Sequence, residues 1–508
     1  MTIGRQFCNG LPTPYTLHPV RTRYAPSPTG SPHVGNLRTA IYDWLLARHS
    51  GGTFIARLED TDRDSSRYKP ESIAEIEDAL RFLGIVPDEW WVSGGPNAPY
   101  RQSGRLPRYQ EIANGLVSEG KAYRCYCTED RLKEMRELQM AEGKATGYDR
   151  HCRTLSDAER AGCEAQGLDS VVRLALPLSG EVTCSDAVFG DVTFDFKLLD
   201  DPVILKSNGW PTYHLAAMLD DHDTGITHVM RGEEWLSSAP KHIYLYEALG
   251  WEQPVWAHMP LILGSDKKKL SKRHGSTQFS DFIRAGYLPE ALFNFLALLG
   301  WSPGEENREI FSVQEIVERF TLEGITKHPA VFDFEKLKWM NGEYIRSSSV
   351  ARLSELCIPH LQEAGLVGAE VSDDERGYIS KIIPLVQERM KLLSDVAPST
   401  DFFFVDPSEP EEKGRRKWLT GDRAADVLNQ SARWFGLAAD PLTEESAELA
   451  ADNIANAIGI ERAVVIHTLR IAVTGRTVGP GLFETLAVLG KQKVLARLER
   501  AKSWVVNV

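Results

Sequence analysis

Apolar side chains along residues 37–48 recur at three- and four-residue spacing, with Leu37, Ile41, Trp44 and Leu45 leading to Arg48, and Gly51-Gly52 stops the run. That is the period of one helix face. The preceding Val20-Arg21-Thr22-Arg23-Tyr24-Ala25 is strand-like, so the chain reads strand, tight Pro/Gly turn, helix. An alternating run, Thr53-Phe54-Ile55-Ala56-Arg57-Leu58, predicts a second strand, and residues 71–83 a second helix. Between residues 171 and 205 the pattern turns β-rich, with runs at 171–174, 181–184 and 191–196 punctuated by glycine. A helix over 211–218 and a strand over 226–231 follow, and from about residue 285 the spacing is helical, as at 292–299, 316–320, 332–341, 449–458 and 482–498. Strand–helix alternation predicts a parallel, doubly wound sheet that holds ligands at the carboxyl ends of its strands. Arg57 and Glu59 leave the second strand at that end, and Arg231-Gly232-Glu233-Glu234-Trp235 leaves a later one. Asp60, Asp62 and Asp64 form an acidic turn that reads equally well as the cap of a following helix. The expectation is a multidomain chain, α/β followed by all-α.

Composition adds bounds to that picture. With 508 residues, 42% apolar and 25% charged, the chain is long enough for several cores. No apolar run approaches the roughly 20 residues of a membrane-spanning helix, and no signal-peptide pattern opens the sequence, which predicts a cytoplasmic protein without a membrane partner. Seven Cys, with a pair at Cys125 and Cys127, read as reduced thiols rather than a secreted disulfide framework. The formal charge of -13 opposes general nucleic-acid binding, yet basic residues cluster at Lys267-Lys268-Lys269-Leu270-Ser271-Lys272-Arg273 and at Lys413-Gly414-Arg415-Arg416-Lys417. An acidic chain with basic stripes suits one particular RNA better than RNA in general.

Three constellations carry candidate chemistry. Ser27-Pro28-Thr29-Gly30-Ser31-Pro32-His33-Val34-Gly35-Asn36 aims backbone N–H groups and a helix N-terminus at whatever sits above it, a place that suits a phosphate chain. Gly35 permits close approach and His33 adds a donor that can carry charge; alone, such a turn serves structure as readily as chemistry. The Lys-rich loop at 267–273 is by itself an ordinary solvated loop. Cys125-Tyr126-Cys127 with Tyr148-Asp149-Arg150-His151-Cys152 suits tetrahedral zinc, which needs four soft or borderline donors; the fourth stays open, His151 being adjacent and chemically usual, and buried thiols are the competing explanation.

The pairing of His33-Val34-Gly35-Asn36 with Lys269-Leu270-Ser271-Lys272-Arg273 resembles the two nucleotide-binding signatures of class I aminoacyl-tRNA synthetases, with Asn, Leu and Arg in places where other members carry His, Met and Ser. Arg23-Tyr24-Ala25-Pro26-Ser27-Pro28-Thr29-Gly30, Arg57-Leu58-Glu59-Asp60-Thr61-Asp62, Pro211-Thr212-Tyr213-His214-Leu215-Ala216, Asp220-Asp221-His222 and Arg231-Gly232-Glu233-Glu234-Trp235 narrow this to the bacterial-type glutamyl-tRNA synthetase family, from about residue 20 onward.

The resemblance implies a Rossmann-type catalytic domain in two halves, 20–124 and 206–260, after an extension at 1–19. An acceptor-end-binding insertion with a zinc site would span 125–205, the Lys-rich loop and a stem-contact region 261–345, and a helical anticodon-binding domain 346–508. It implies ligation of L-glutamate to tRNA-Glu with ATP and Mg²⁺ by a monomer, with Zn²⁺ as a second metal. His33, Lys269 and Lys272 would be catalytic; His33, Gly35, Asn36, Glu233, Trp235, Ile262, Lys269, Ser271 and Lys272 would hold ATP; Arg23, Ala25, Ser27, Glu59, Tyr213 and Arg231 would hold glutamate; and Cys125, Cys127, Tyr148 and Cys152 would hold the metal. The family's usual Asn is Ala217 here, which removes one amide contact. Two alternatives stay open: a synthetase that also charges tRNA-Gln, and an RNA-binding paralogue without catalysis.

Overall fold

The structure is a computed structural model that describes residues 19–62, 66, 68–275, 277–305 and 307–506, with the Lys272 side chain outside it. The extension up to residue 18, with Cys8, and Asp64 of the acidic turn therefore lie outside the described residues. The chain divides into two compact units: residues up to 281 with 292–333, and residues 282–291 with 334 onward.

In the first unit, strand β1 (Arg21–Tyr24) leads into helix α1 (Val34–His49), and β2 (Thr53–Ala56) returns parallel to β1 before α2 (Glu71–Phe82). Leu37, Ile41 and Leu45 are fully buried, while Trp44 packs edge-on against Phe293 at 5.8 Å. Each such aliphatic side chain contributes about 1.5–3 kcal/mol of burial. The cap position of α2 is held by Pro70, which makes no side-chain bond, and Asp60 accepts from Ser103 N–H and Oγ at 2.8 Å.

Helix α3 (Leu106–Ser118) leads to a separate antiparallel sheet, β3 (Ala122–Cys125), β4 (Val171–Leu174) and β7 (Val203–Leu205), in the order β3-β4-β7. Helices α4 (Glu129–Ala141) and α5 (Asp157–Ala165) lie between β3 and β4, and α5 opens on a Ser156/Glu159 capping box. The hairpin β5 (Glu181–Asp186) and β6 (Gly190–Asp195) does not stay with that sheet. It reaches the parallel one through Asp186 opposite Trp256.

The parallel sheet resumes after α6 (Tyr213–Asp223) with β8 (His228–Gly232), α7 (Ala239–Leu249) and β9 (Val255–Met259). Helix α6 starts two residues later than expected and runs five further, since Thr212 takes the extended cap position. Thr227 N–H donates to Arg21 O at 3.0 Å and joins β8 to β1. The pair β2-β1 and the four-stranded sheet β8-β9-β5-β6, set side by side by that bond, make the doubly wound arrangement the alternation implied, with an antiparallel hairpin on one edge. Leu215, Leu219, Val229, Ile243, Tyr246 and Trp256 fill its core. The short pair β10 (Ile262–Leu263) and β11 (Ala330–Val331) follows.

The second unit is helical, as expected. Its elements run from Phe334–Ser347 and Val350–Glu363 to Lys491–Ala501 and enclose two apolar cores, one around Leu353, Ile383 and Val396, the other around Val427, Ile454, Leu469 and Leu498. One expectation fails here. The apolar period over 482–498 continues across Gly490, but that residue adopts φ 78° and divides the run into Leu482–Leu489 and Lys491–Ala501.

Candidate active site

The carboxyl ends of β1, β2 and β8, the start of α1 and the loop after β10 enclose a cleft of about 1110 Å³ in the first unit. Of the residues the sequence singles out, Arg23, Ala25, Ser27, His33, Gly35, Asn36, Glu59, Tyr213, Arg231, Trp235, Ile262, Lys269 and Ser271 all line it. Glu233 does not: its carboxylate accepts from Leu261 N–H at 3.2 Å, and the neighbouring Glu234 faces the cleft instead. Lys272 sits in a short turn, Lys272–His274, and its side chain lies outside the described residues.

One end of the cleft is built for an anion. His33 caps α1, its Nδ1 accepting from Gly35 N–H at 3.1 Å, so in the neutral imidazole Nε2 carries the proton as a donor. A Cβ on residue 35 would stand 2.9 Å from the His33 ring, so only glycine leaves that ring in place. The enclosing walls and the Lys269 charge hold the imidazole below its usual value, with Glu234 pulling the other way. Lys269 reaches Glu234 at 3.6 Å. Its loop folds back on β10, with Leu270 N–H donated to Ile262 O at 2.9 Å, and Asp266 bonds both His274 (2.8 Å) and Arg273 (3.2 Å) to close it.

The other end is a floor of buried charge. Arg23 donates Nε to Asp221 at 3.1 Å and Nη1 to Met230 O at 3.1 Å, and Arg57 donates Nη1 to Asp221 at 2.6 Å and Nη2 to Glu59 at 3.2 Å. Asp220 takes Arg105 at 2.7 Å and the Tyr109 hydroxyl at 2.9 Å. Burial pushes the Glu59 carboxyl up to about 7 against the pull of Arg57 and Arg23. Arg231 differs from these. Among the described residues it pairs with no carboxylate; it donates Nε to His258 and Nη1 to His242, both at 3.0 Å, and its buried Nη2 has no acceptor. Tyr213 stands beside it, its ring tilted 32° against that of Trp235 with centroids 4.1 Å apart.

Away from the cleft, Cys125, Cys127 and Cys152 bring their sulfurs within 4.8 Å of one another. The Tyr148 hydroxyl lies 3.3 Å from Cys125 Sγ and 3.7 Å from Cys127 Sγ, and Cys127 Sγ stands 3.5 Å from Cys152 Sγ. Around a tetrahedral zinc with bonds of about 2.3 Å to sulfur, donors stand roughly 3.8 Å apart, so the four atoms fit. His151 is exposed and stands outside the group. Arg131 donates to Cys127 at 3.4 Å and the Arg173 guanidinium lies 3.8 Å over the Tyr148 ring, charges that favour thiolate.

The catalytic-domain model of class I tRNA synthetases for E and Q matches residues 19–339, and an anticodon-binding-domain model matches residues 352–502. Glutamate–tRNA ligase of Moorella thermoacetica is 44% identical over 96% of this chain and 99% of its own. The chain belongs to the glutamyl-tRNA synthetase family. The ligase of Dehalococcoides mccartyi strain 195 is 45% identical over 95% of this chain and 97% of its own. The crystal structure of a glutamate tRNA ligase from Elizabethkingia meningosepticum, in complex with its amino acid, superposes with a TM-score of 0.87 at 35% identity, covering 96% of this chain and all of that one.

In this member of the glutamyl-tRNA synthetase family, several residues that shape the cleft carried no signal in the sequence. Arg38 is buried on α1 and donates to Pro260 O and Leu299 O, tying the helix to the approach of the Lys loop. Asp43, two turns into α1, lies under the floor beside Arg23, and burial pushes its carboxyl well up. His242 and His258 sit in no motif at all. Asp220 and Asp221 were in one, yet their bond to arginines more than a hundred residues away exists only in the fold.

Proposed function

We infer that this chain joins L-glutamate to tRNA-Glu in two steps. The glutamate α-carboxylate attacks the α-phosphorus of ATP and expels diphosphate; the terminal ribose hydroxyl of the tRNA then attacks the acyl carbon of the adenylate and releases AMP. The observation that carries this is one cleft holding two unlike ends: an anion-receiving helix start faced by Lys269, and a buried Arg231 with an unused donor.

His33 Nε2–H, the Asn36 N–H at the start of α1, Lys269 and Lys272 would spread the charge of the triphosphate and of the α-phosphorus as it is attacked, the Val34 and Gly35 N–H groups being already bonded to Thr277 O and His33 Nδ1. Mg²⁺ accompanying ATP supplies further charge neutralisation. Trp235, Ile262 and Ser271 would border the nucleotide, with Gly35 letting phosphate approach the backbone beside Asn36. At the other end Arg231 would take the side-chain carboxylate, with Tyr213 beside it and Arg23 fixed behind by Asp221. Glu59 would take the α-ammonium, and Ala25 and Ser27 would form the wall. A guanidinium favours a carboxylate over an amide because the amide leaves a buried charge without a counter-charge. The Cys125, Cys127, Cys152 and Tyr148 cluster would hold Zn²⁺, which supplies a structural crosslink between β3 and the segment at 148–152.

The test is charging of separate tRNA-Glu and tRNA-Gln transcripts with labelled glutamate, ATP and Mg²⁺. Charging of tRNA-Glu alone is expected. Charging of both transcripts would replace the assigned specificity with the broader one, and charging of neither by folded protein would overturn the reading.

A further inference from the structure

The cations on the floor of the cleft are held in two different ways. Arg23 and Arg57 lean on carboxylates: Asp221 accepts from both, at 3.1 and 2.6 Å. Arg231 leans on two imidazoles. The partners of each ring fix which nitrogen carries the proton. Asp186 Oδ2 stands 2.6 Å from His258 Nδ1, and a carboxylate there accepts from Nδ1–H, which leaves the Nε2 lone pair for Arg231 Nε–H. On the opposite side Arg231 Nη1–H enters the lone pair of His242 Nδ1, so His242 Nε2 carries its proton and donates it to His214 Nδ1 at 3.0 Å. Every hydrogen bond then runs outward from Arg231, toward Asp186 on one side and His214 on the other, and each imidazole carries a single proton and no charge.

The surroundings agree. Burial first, then the Arg231 charge, holds His242 well below the usual histidine value, and burial holds His258 down although Asp186 pulls the other way. The Trp256 ring lies 5.0 Å from the guanidinium and fixes its plane from one face. Four separate elements supply the assembly: β8 carries Arg231, α7 carries His242, β9 carries His258, and the hairpin strand β5 carries Asp186. Asp186 is itself saturated, with Oδ1 accepting from Val188 and Phe189 N–H groups at 2.9 and 2.8 Å and Oδ2 accepting also from His258 N–H at 3.0 Å.

We propose that His242 and His258 are positioning residues for amino-acid selection: two neutral acceptors fix the Arg231 guanidinium without cancelling its charge, so that Nη2 and the whole charge remain for the side-chain carboxylate of the substrate. A carboxylate in either place would orient the arginine equally well, but it would neutralise it before substrate arrived. The preference for a carboxylate over the isosteric amide would then shrink, because neither ligand would leave the buried cation uncompensated. This inference rests on the assignment of glutamate to the cleft.

Two pairs of variants separate geometry from charge. Asn Oδ1 falls near the place of a histidine Nδ1, and His242→Asn and His242→Asp differ only in charge; His258→Gln and His258→Glu do the same for Nε2. For each variant, with folding checked by thermal melting, KM and kcat for glutamate, KM for ATP and charging with glutamine are measured in the tRNA reaction. The expected result is that His242→Asp raises the KM for glutamate roughly tenfold or more above that of His242→Asn, with the KM for ATP unchanged and with the margin over glutamine reduced. Equal KM values in the Asn and Asp variants would overturn the proposal. Should His242→Asp fail to fold, the His258 pair reads the same difference. A wild type that does not charge glutamate at all would instead overturn the assignment of the cleft, and this inference with it.

Discussion

Glu59 shows how one residue's surroundings dictate a measurable behaviour. Burial pushes its carboxyl up to about 7, with Arg57 and Arg23 limiting the rise. Below that pH the free enzyme holds Glu59 protonated, and a neutral acid cannot pair with the α-ammonium of glutamate. Affinity for glutamate is therefore full above about pH 7 and is lost as pH falls below it, by about tenfold per unit far enough down. The KM for glutamate, followed from about pH 8 to about pH 5.5, is expected to climb along that line. Glu59→Gln should raise the KM and flatten the profile; an equal slope in the variant would assign the titration elsewhere. The residues at this scale divide sharply by how legible they were. Arg23, His33, Tyr213, Arg231 and Lys269 lie in motifs whose order and spacing identify them. His242 and His258 could not be read, because a histidine on an apolar helix or strand is ordinary until its ring nitrogens have partners. In Glu233-Glu234 the two carboxylates are indistinguishable in sequence, and only the turn after β8 decides that Glu234 faces the cleft while Glu233 accepts from Leu261 N–H.

Among the elements of the first unit, the hydrophobic period located β1, β2, β4, β5, β6 and β8 with α1, α2 and α6, since a strand buried on both faces and an amphipathic helix leave different patterns. It missed what depends on a single backbone angle, as at Gly490, and what depends on pairing partners far away, as with the β5 and β6 hairpin, whose pattern looks the same whether it joins one sheet or another. The segment at β3 and 148–152 carries a prediction of its own. Its apolar cluster is small, Tyr123, Cys125, Tyr148, Cys152 and Ala175, so a bound metal would contribute much of its order. Purified protein is expected to carry about one zinc per chain, and Cys127→Ser to lose it with a lower melting temperature. Metal-free protein with the wild-type melting temperature would leave the cluster as packed thiols.

Across the whole molecule, a net charge of -13 coexists with local basic surface. The helix Glu412–Trp418 shows how: Gly414 is buried against Ile471 and Arg415 donates to Trp504 O at 2.9 Å, which turns Lys413 and Arg416 outward, with Lys417 4.6 Å over the Trp418 ring. If this face meets tRNA phosphates, the KM for tRNA rises steeply with salt while the KM for glutamate does not, and Lys413→Glu with Arg416→Glu lowers the salt slope by roughly two phosphate contacts. An unchanged slope would place the tRNA elsewhere on the second unit. Selection of the amino acid in the cleft falls to a buried guanidinium, Arg231, that pairs with no carboxylate among the described residues. The most direct test of that role is the kcat/KM for glutamate in tRNA charging by wild type and Arg231→Gln, each matched for ATP and tRNA. Arg231→Gln is expected to lower it about a hundredfold or more with little change in the KM for ATP; a variant that charges glutamate as the wild type does would show that Arg231 does not choose the amino acid.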